Sequence, residues 1–284
     1  MKITLVQSRG LVNDPQVNFF KARMRINNVE SEIFVFPEMF ASGYVSKEAD
    51  MKLDMLQSKL IDNIAKLSEN KGSTIILGCP RKVDGKIYDS ALILDGKEES
   101  WYDKINLNKK GGVFDETSVF APGKTPMIVT RQGLNMGIAV GHDLFMSELV
   151  EYYSKNGADM IICISALLPE EITEFIMVAQ SAAIRFSIPI MVCNMTGPDC
   201  GKELGGKSVF IDGKGTLVET CTAGSDVREI RLDVKALNDN TAARVFPTKM
   251  EFSGCDRIEI KCTEVQPIQQ LKDREDNLCL QILH

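Results

Sequence analysis

The chain has 284 residues, of which 44% are hydrophobic and 25% charged, and its formal net charge is −6. This composition is ordinary for a soluble globular protein, and the length suits one large α/β domain or two small ones. The mildly acidic balance gives no electrostatic reason to expect nucleic acid or an anionic membrane as a partner. The sequence shows neither a membrane-length apolar run nor a secretory signal, so we expect a cytoplasmic protein.

Cysteine and histidine restrict the possible chemistry. None of the eight cysteines forms a Cys-x-x-Cys pair, so the sequence does not predict a zinc site. Without an export signal, the thiols are expected to be reduced. Only two histidines occur, and imidazole catalysis therefore has to use His142 or His284.

The first half of the chain alternates short β-branched runs with amphipathic segments. Helices are predicted after Asp14-Pro15, which resembles a cap followed by a first-turn proline, and over residues 53–70. A polar stretch follows over residues 106–124 and predicts a long loop, which in a compact domain is usually functional. The predicted strands are residues 3–6, 33–36 and 74–77, with a hairpin of 86–94 and 99–102 turned at Asp95-Gly96.

The second half shows the same alternation, and its helices are predicted at residues 144–156 and 171–186. Residues 198–206 are glycine-rich and are interpreted as a loop. Strands that alternate with helices predict a layered α/β fold, here with one domain over 1–254 and a C-terminal arm over 255–284. The predicted strands are residues 127–130, 136–140, 160–164, 190–194 and 227–232, with a hairpin of 208–211 and 216–219.

Three groups of functional residues follow predicted strands directly. Glu38 follows the second strand, Lys104 follows the hairpin, and Gly141-His142-Asp143 lies between a strand and a helix. In open α/β sheets, reactive groups collect at the carboxyl ends of strands. A buried carboxylate and ammonium can act as general base and oxyanion stabiliser, and a sharp strand-to-helix turn commonly displays a nucleophile.

Four segments in order carry distinctive motifs, which are Phe-Pro-Glu-Met-Phe-Ala-Ser-Gly-Tyr at 36–44, Trp-Tyr-Asp-Lys-Ile-Asn-Leu at 101–107, residues 114–123 and Gly-Ile-Ala-Val-Gly-His-Asp-Leu at 137–144. Together they resemble the signatures of the nitrilase superfamily of carbon–nitrogen hydrolases. The resemblance covers about residues 1–254 and implies a four-layer α-β-β-α sandwich, which in this family usually dimerises by apposing helix layers into a longer sandwich. It also implies that Glu38 is the general base, that Lys104 stabilises the tetrahedral intermediate and that Glu116 is a supporting second glutamate. Further likeness to the family lies at Arg185 and 205–208.

The sequence departs from this family at its most important position. Alignment on Asp143 places Gly141 where the family carries its nucleophilic cysteine, and His142 where it carries an aromatic residue. Glycine cannot form the covalent thioester, and loss of such a nucleophile typically costs several orders of magnitude in rate. The family chemistry is thiol-based, so the resemblance implies no metal and no organic cofactor. Tyr44, His142 and Ser165 are the candidate substrate-binding residues.

Alternatives for the missing nucleophile remain open. Cys163, Cys193 and Ser165 lie near the ends of the next two strands, and water activated by Glu38 is a further possibility. His142 is expected to fill the place of the aromatic residue more readily than to act as a catalytic imidazole. Asp143 is expected to cap the following helix. Asp115 is an alternative to its neighbour Glu116.

Two functional hypotheses follow. The first is an enzyme that hydrolyses a small amide or carbamoyl substrate by weak or non-standard chemistry. The second is a catalytically inactive homologue with a regulatory or assembly role, or one that holds a small polar ligand through an anionic or carbonyl group paired with Lys104. By resemblance, we expect a homodimer or larger homo-oligomer, with the 255–284 arm as a candidate for the contact between subunits.

Overall fold

The computed structural model describes residues 1–109 and 113–244, without the side chains of residues 49, 50, 57 and 58. The predicted boundary at residue 254 and the arm over 255–284 lie outside these residues. The strands of the described part, in chain order, are β1 (Lys2–Gln7), β2 (Ile33–Val35), β3 (Thr74–Gly78), β4 (Arg81–Val83), β5 (Lys86–Tyr88), β6 (Ser90–Asp95), β7 (Glu98–Asp103), β8 (Ile128–Arg131), β9 (Leu134–Val140), β10 (Met160–Ser165), β11 (Ile190–Asn194), β12 (Thr196–Asp199), β13 (Lys202–Gly205), β14 (Val209–Ile211), β15 (Leu217–Thr220) and β16 (Asp226–Arg231).

Helices connect these strands. The first begins as predicted, because the Asp14 side chain accepts a hydrogen bond from the backbone N–H of Val17 at 3.1 Å and Pro15 occupies the first turn. No helix of the described ranges has the length and apolar character needed to cross a membrane. The helices are α1 (Pro15–Asn28), α2 (Glu48–Met51), α3 (Leu53–Met55), α4 (Ile61–Lys71), α5 (Ser147–Lys155), α6 (Ile172–Phe186) and α7 (Val234–Ala242).

Two six-stranded sheets form the body of the fold. The strand order is β16-β1-β2-β3-β6-β7 in the first sheet and β15-β14-β11-β10-β9-β8 in the second. β1, β2 and β3 pair in parallel, as do β9, β10 and β11, while the outer strands pair antiparallel. The carboxyl ends of β2 and β3 therefore share one rim of the first sheet, and those of β9, β10 and β11 share one rim of the second.

Three apolar layers hold the sheets and helices together. The middle layer lies between the sheets and contains side chains such as Ile33 and Ile76 from the first sheet and Ile138 and Ile162 from the second. The outer face of the first sheet packs on α1 and α4, and that of the second packs on α5 and α6. This order of layers is an α-β-β-α sandwich, which confirms the predicted fold class.

Four predicted elements were wrong in detail. The helix over 53–70 is broken, since a π-helical turn over Leu56–Leu60 separates α3 from α4. The run 86–94 is two strands, because β5 pairs with β4 in a separate ribbon while β6 pairs with β3. The helix over 144–156 begins only at Ser147. The glycine-rich loop is a hairpin of β12 and β13, whose two-residue turn at Cys200-Gly201 has positive φ at both residues.

Candidate active site

Glu38 lies in a tight turn directly after β2. Ala41 donates a backbone hydrogen bond to Gly78 at the end of β3 (2.9 Å), and Gly78 donates one to Pro37 (3.1 Å). A Cβ at Gly78 would lie 2.2 Å from the carbonyl oxygen of Pro37, so the turn can pack this closely only on a glycine. The turn holds the Glu38 side chain inside the protein, where it is 2% exposed.

Lys104 follows β7 and points into the same space. Its backbone N–H donates to the carbonyl of Asp89 at 2.9 Å, and its carbonyl accepts from Gly123 at 2.7 Å. The side chain is 1% exposed, and its Nζ lies 2.6 Å from Glu38 Oε1 and 2.7 Å from Glu116 Oε1. The structure thus brings together the carboxylate and the ammonium that the sequence placed at two separate strand ends.

Glu116 enters the site from a short 3₁₀ turn over Glu116–Ser118. Its Oε1 also accepts a hydrogen bond from the Tyr44 hydroxyl, and its Oε2 accepts one from the backbone N–H of Asn108 at 2.8 Å. Asp115, the alternative from the sequence, is exposed and instead accepts from the N–H of Thr117 at 3.0 Å. The carboxylate beside Lys104 is therefore that of Glu116, and the predicted binding residue Tyr44 contacts it.

A third carboxylate was missed from the sequence. Asp89 lies in the turn between β5 and β6, is fully buried, and has one oxygen 3.7 Å from Lys104 Nζ. Oxygen atoms of Asp89, Glu38 and Glu116 all lie within 4.8 Å of one another. A charged residue that interrupts the run 86–94 was the available signal, but that run was interpreted as one continuous strand.

Burial and mutual charge perturb every ionisable group of this cluster. Burial raises the pKa of Glu38 despite the neighbouring Lys104, and burial together with Glu38 raises the pKa of Asp89 well above its usual value. Burial alone would also raise the pKa of Glu116, but the charge and hydrogen bond of Lys104 hold it below the usual value. Burial lowers the pKa of Lys104, and the carboxylates outweigh this effect, so Lys104 remains an ammonium.

A cation is already present at the centre of these carboxylates. Acidic oxygens this close together are spaced as a metal ion would require, and no other such group of three occurs in the described ranges. However, Lys104 Nζ contacts two of the three side chains at 2.6 and 2.7 Å and supplies their positive charge. The arrangement is that of an ammonium surrounded by carboxylates.

Gly141 lies at the end of a strand of the second sheet and faces the ion cluster, which consists of Glu38, Asp89, Lys104 and Glu116. It follows β9 and opens a 3₁₀ turn over Gly141–Phe145, with a positive φ of 47°. A Cβ at this position would lie 2.9 Å from Lys104 Nζ and 3.0 Å from Glu38 Oε2. Any side chain at residue 141 would therefore start in contact with both groups.

Asp143 ties this turn to the strand that carries Lys104. Its carboxylate accepts hydrogen bonds from the N–H groups of Ile105 (3.0 Å) and Asn106 (2.7 Å) and from the Tyr102 hydroxyl (2.8 Å). It also accepts one from the N–H of Val140 at 2.9 Å. The expectation that Asp143 caps the following helix was wrong, because its acceptor oxygens are used within its own turn and across the two sheets.

His142 contacts aromatic rings instead of the ion cluster. Its imidazole stacks on Phe145 with ring centroids 5.1 Å apart and meets the edge of Phe175 at 6.4 Å. Burial and the charge of Lys104 lower the pKa of His142 to about 4, so the imidazole is neutral at pH 7. This environment fits the expectation that His142 fills the place of an aromatic residue.

The residues considered as replacement nucleophiles are buried and have other partners. The Ser165 hydroxyl donates to Asn194 Oδ1 at 3.1 Å. Cys163 packs in the layer under α5 and α6, and Cys193 packs between the sheets. Burial raises the pKa of both thiols well above the usual value, which keeps them in the unreactive protonated form.

A cavity of about 560 Å³ adjoins the Gly141 turn. It is lined by His142 and Phe145 and by the segment 106–109, which follows Lys104. Within that segment, Asn108 also donates to Glu116. The segment 106–109 and the turn that begins at Gly141 therefore border both the cavity and the ion cluster.

The chain belongs to the carbon-nitrogen hydrolase family, whose model matches residues 2–238. It is 24% identical over 228 residues to a glutamine-dependent NAD(+) synthetase of Thermotoga maritima, covering 77% of this chain but only 39% of that protein. It is 23% identical over 222 residues to a 2-oxoglutaramate amidase of Paenarthrobacter nicotinovorans, covering 74% of this chain and 75% of that one.

Solved structures share the fold. One is a cysteine-to-alanine mutant of an amidase from Nesterenkonia sp. AN1 in complex with butyramide, which superimposes with a TM-score of 0.71 at 21% identity. The match covers 84% of this chain and 93% of the amidase. At this level of identity, the likeness establishes the architecture.

Proposed function

We propose that this chain binds a small neutral amide beside the buried residues Glu38, Lys104 and Gly141, and that it lacks the covalent chemistry of thiol amidases. The observation that carries the proposal is the bare position at Gly141, whose Cβ would lie 2.9 Å from Lys104 Nζ. A backbone turn without a side chain lies directly against the charged pair and offers no atom that can bond to a carbonyl carbon.

The charges of the site favour a neutral carbonyl over an anion. An ammonium has three N–H donors, and Glu38 and Glu116 accept two of those of Lys104. Within residues 1–109 and 113–244, no further acceptor lies within hydrogen-bond distance of Nζ, which leaves one donor for a ligand carbonyl. The surrounding carboxylates outnumber the ammonium, so an anionic ligand, as the sequence-based hypothesis allowed, would be repelled.

The relatives support an amide as the group that is bound. The 2-oxoglutaramate amidase and the Nesterenkonia enzyme are both described as amidases. The mutant of the Nesterenkonia amidase that binds butyramide has an alanine in place of a cysteine, so in that protein an amide is held without that thiol. The cavity beside His142 provides space for the remainder of such a ligand.

A second candidate function is slow hydrolysis by water. It is supported by the raised pKa of Glu38, because an effective general base has a pKa closer to the operating pH than an ordinary carboxylate has. Water would attack the amide carbon while Lys104 stabilises the oxyanion. Without a covalent intermediate, this reaction is expected to be slow on an unactivated amide.

Butyramide and butyrate form a matched pair of ligands for testing the proposal. We expect butyramide to bind and butyrate, which has the same alkyl chain but a negative charge, not to bind; titration calorimetry measures both. Ammonia release, compared with a Glu38→Ala variant, reports hydrolysis by water. Equal binding of both ligands, or turnover as fast as that of a thiol amidase, would contradict the proposal.

A homodimer formed through the α5–α6 face is part of the same proposal. Apolar side chains are exposed on these helices, with Met177 64%, Ile184 58% and Tyr152 46% accessible. A largely apolar groove of about 580 Å³ lies beside them and is lined by residues such as Phe145, Met177 and Phe186. Exposed apolar surface of this kind commonly marks a protein interface.

The double variant Met177→Asp/Ile184→Asp is expected to sediment as a monomer, because two charges would have to be buried in the subunit contact. Val218, which is 52% exposed on β15, provides a control of similar exposure. Val218→Asp should leave the assembly unchanged in sedimentation velocity runs. A monomeric wild type, or a double variant that sediments like wild type, would refute dimerisation through this face.

The cytoplasmic location expected from the sequence also belongs to this proposal. It is supported by Cys79, Cys163, Cys193, Cys200 and Cys221, the cysteines within the described ranges, all of which are free thiols.

A further inference from the structure

Asp89 is the one member of the ion cluster whose side chain has no hydrogen-bond donor. It is fully buried, and neither of its carboxylate oxygens accepts a hydrogen bond from any residue in the described ranges. Its backbone carbonyl holds the N–H of Lys104 at 2.9 Å, which fixes the residue beside the cluster. A carboxylate buried in this way, without a donor, is strongly unfavourable.

Lys104 does not donate a hydrogen bond to the Asp89 carboxylate. Its Nζ lies 3.7 Å from the nearest Asp89 oxygen, beyond hydrogen-bond distance, whereas it lies 2.6 Å from Glu38 and 2.7 Å from Glu116. If all three carboxylates were ionised, a single ammonium would face three negative charges among buried side chains. One ammonium does not offset three such charges, so one of the three carboxylates retains a proton.

We propose that Asp89 carries this proton and donates it in a hydrogen bond to Glu38, so that Asp89 positions the Glu38 carboxylate against Lys104. The proton provides the missing donor between two buried carboxyl groups whose oxygen atoms lie within 4.8 Å of one another. It also leaves Glu38 and Glu116 as the two charged acceptors of Lys104. This inference concerns the protonation of the site and holds whether or not the site turns over a substrate.

The neighbouring groups favour placement of the proton on Asp89. Glu116 already has donors in Lys104, Tyr44 and Asn108, and Glu38 has Lys104. Tyr44 and the Cys79 thiol face the cluster from the chain segments after β2 and β3, and burial raises the pKa of both, so they remain neutral. Burial and the charge of Glu38 likewise raise the pKa of Asp89 well above its usual value.

The variant Asp89→Asn tests the proposal through the pH dependence of unfolding. An amide can donate to Glu38 as the acid does, but it takes up no proton on folding. Wild type folds with the proton and releases it on unfolding above about pH 4, so raising the pH destabilises wild type relative to the variant. The ratio of the unfolding equilibrium constants, wild type over Asp89→Asn, should rise by up to tenfold per pH unit between about pH 5 and pH 7.

Two further variants make the result interpretable. Asp62→Asn removes an exposed carboxylate on α4, and its unfolding should follow the wild-type pH dependence. Asp89→Ser is also neutral and can donate a hydrogen bond, so its unfolding should show the same pH dependence as that of Asp89→Asn. It takes the place of Asp89→Asn in the comparison if the asparagine variant does not fold. In infrared spectra at pH 7, the carboxylic acid band of wild type should weaken in both Asp89 variants but not in Asp62→Asn. A ratio that is constant or falls as the pH rises, or an unchanged acid band, would show that Asp89 is ionised and overturn the proposal.

Discussion

Lys104→Met is expected to lower the free energy of unfolding at pH 7 by about 3–5 kcal/mol, the usual cost of removing one partner from a buried ion pair. The side chain is 1% exposed and contacts Glu38 and Glu116 at 2.6 and 2.7 Å, so its loss leaves two buried carboxylates without a cation. The pKa of Glu116 should then rise above that of the unfolded chain, and the pKa of Glu38, which is already raised, should rise further. The variant is therefore expected to be least impaired in acid and to lose stability progressively as the pH rises.

Urea unfolding at pH 5 and pH 8 measures this effect, and the difference between wild type and variant should be larger at pH 8. Lys71→Met is a suitable control, because Lys71 pairs at 2.7 Å with an exposed glutamate, Glu30, at the surface. Surface pairs of this kind contribute little to stability, so Lys71→Met should change it only slightly. A loss for Lys104→Met as small as that of the control would show that water reaches the cluster.

Gly141→Cys is expected to introduce a reactive thiol and to increase butyramide hydrolysis by about two orders of magnitude or more. The Cβ would lie 2.9 Å from Lys104 Nζ and 3.0 Å from Glu38 Oε2, which places the thiol beside both a base and an oxyanion donor. The ammonium is the end of a flexible side chain and can move to make room. The positive φ of 47° should cost roughly 1–2 kcal/mol of stability for a residue other than glycine.

Alkylation by iodoacetamide at position 141, followed by mass spectrometry, measures the reactivity separately from that of the exposed native Cys200. Gly141→Ala is the matched control, because it has the same backbone strain but no thiol. Adding Glu38→Gln to Gly141→Cys should slow both alkylation and hydrolysis, since the base is lost. An unreactive thiol in a folded Gly141→Cys protein would mean that the pocket no longer supports the family chemistry.

Strand ends were the part of the site that sequence reasoning located well. Glu38 and Gly141 follow β2 and β9 as predicted, because apolar runs of β-branched residues define strands and polar residues mark their ends. Asp89 was missed, because the run 86–94 was interpreted as one continuous strand, in which a single charged residue is unremarkable. Only the pairing of β6 with both β3 and β7 carries it beneath Lys104.

The helix after Gly141 was predicted too early for a related reason. The sequence from Leu144 onward permits a helix, but the Asp143 carboxylate accepts from Val140, Ile105 and Asn106 and holds the turn in a tighter form until Ser147. Two of these donors lie almost forty residues earlier in the chain. Local propensity contains no information about hydrogen bonds over that distance.

The amino-acid sequence alone determined the alternation of strands and helices, the family resemblance and the lack of a side chain at residue 141, since periodicity and residue identity are local properties. The meeting of Glu38 with Lys104, 66 residues apart, and their enclosure with Asp89 arose from sheet pairing and burial. That enclosure sets the charges of the site, because a pKa depends on solvent exclusion and on groups brought near by the fold.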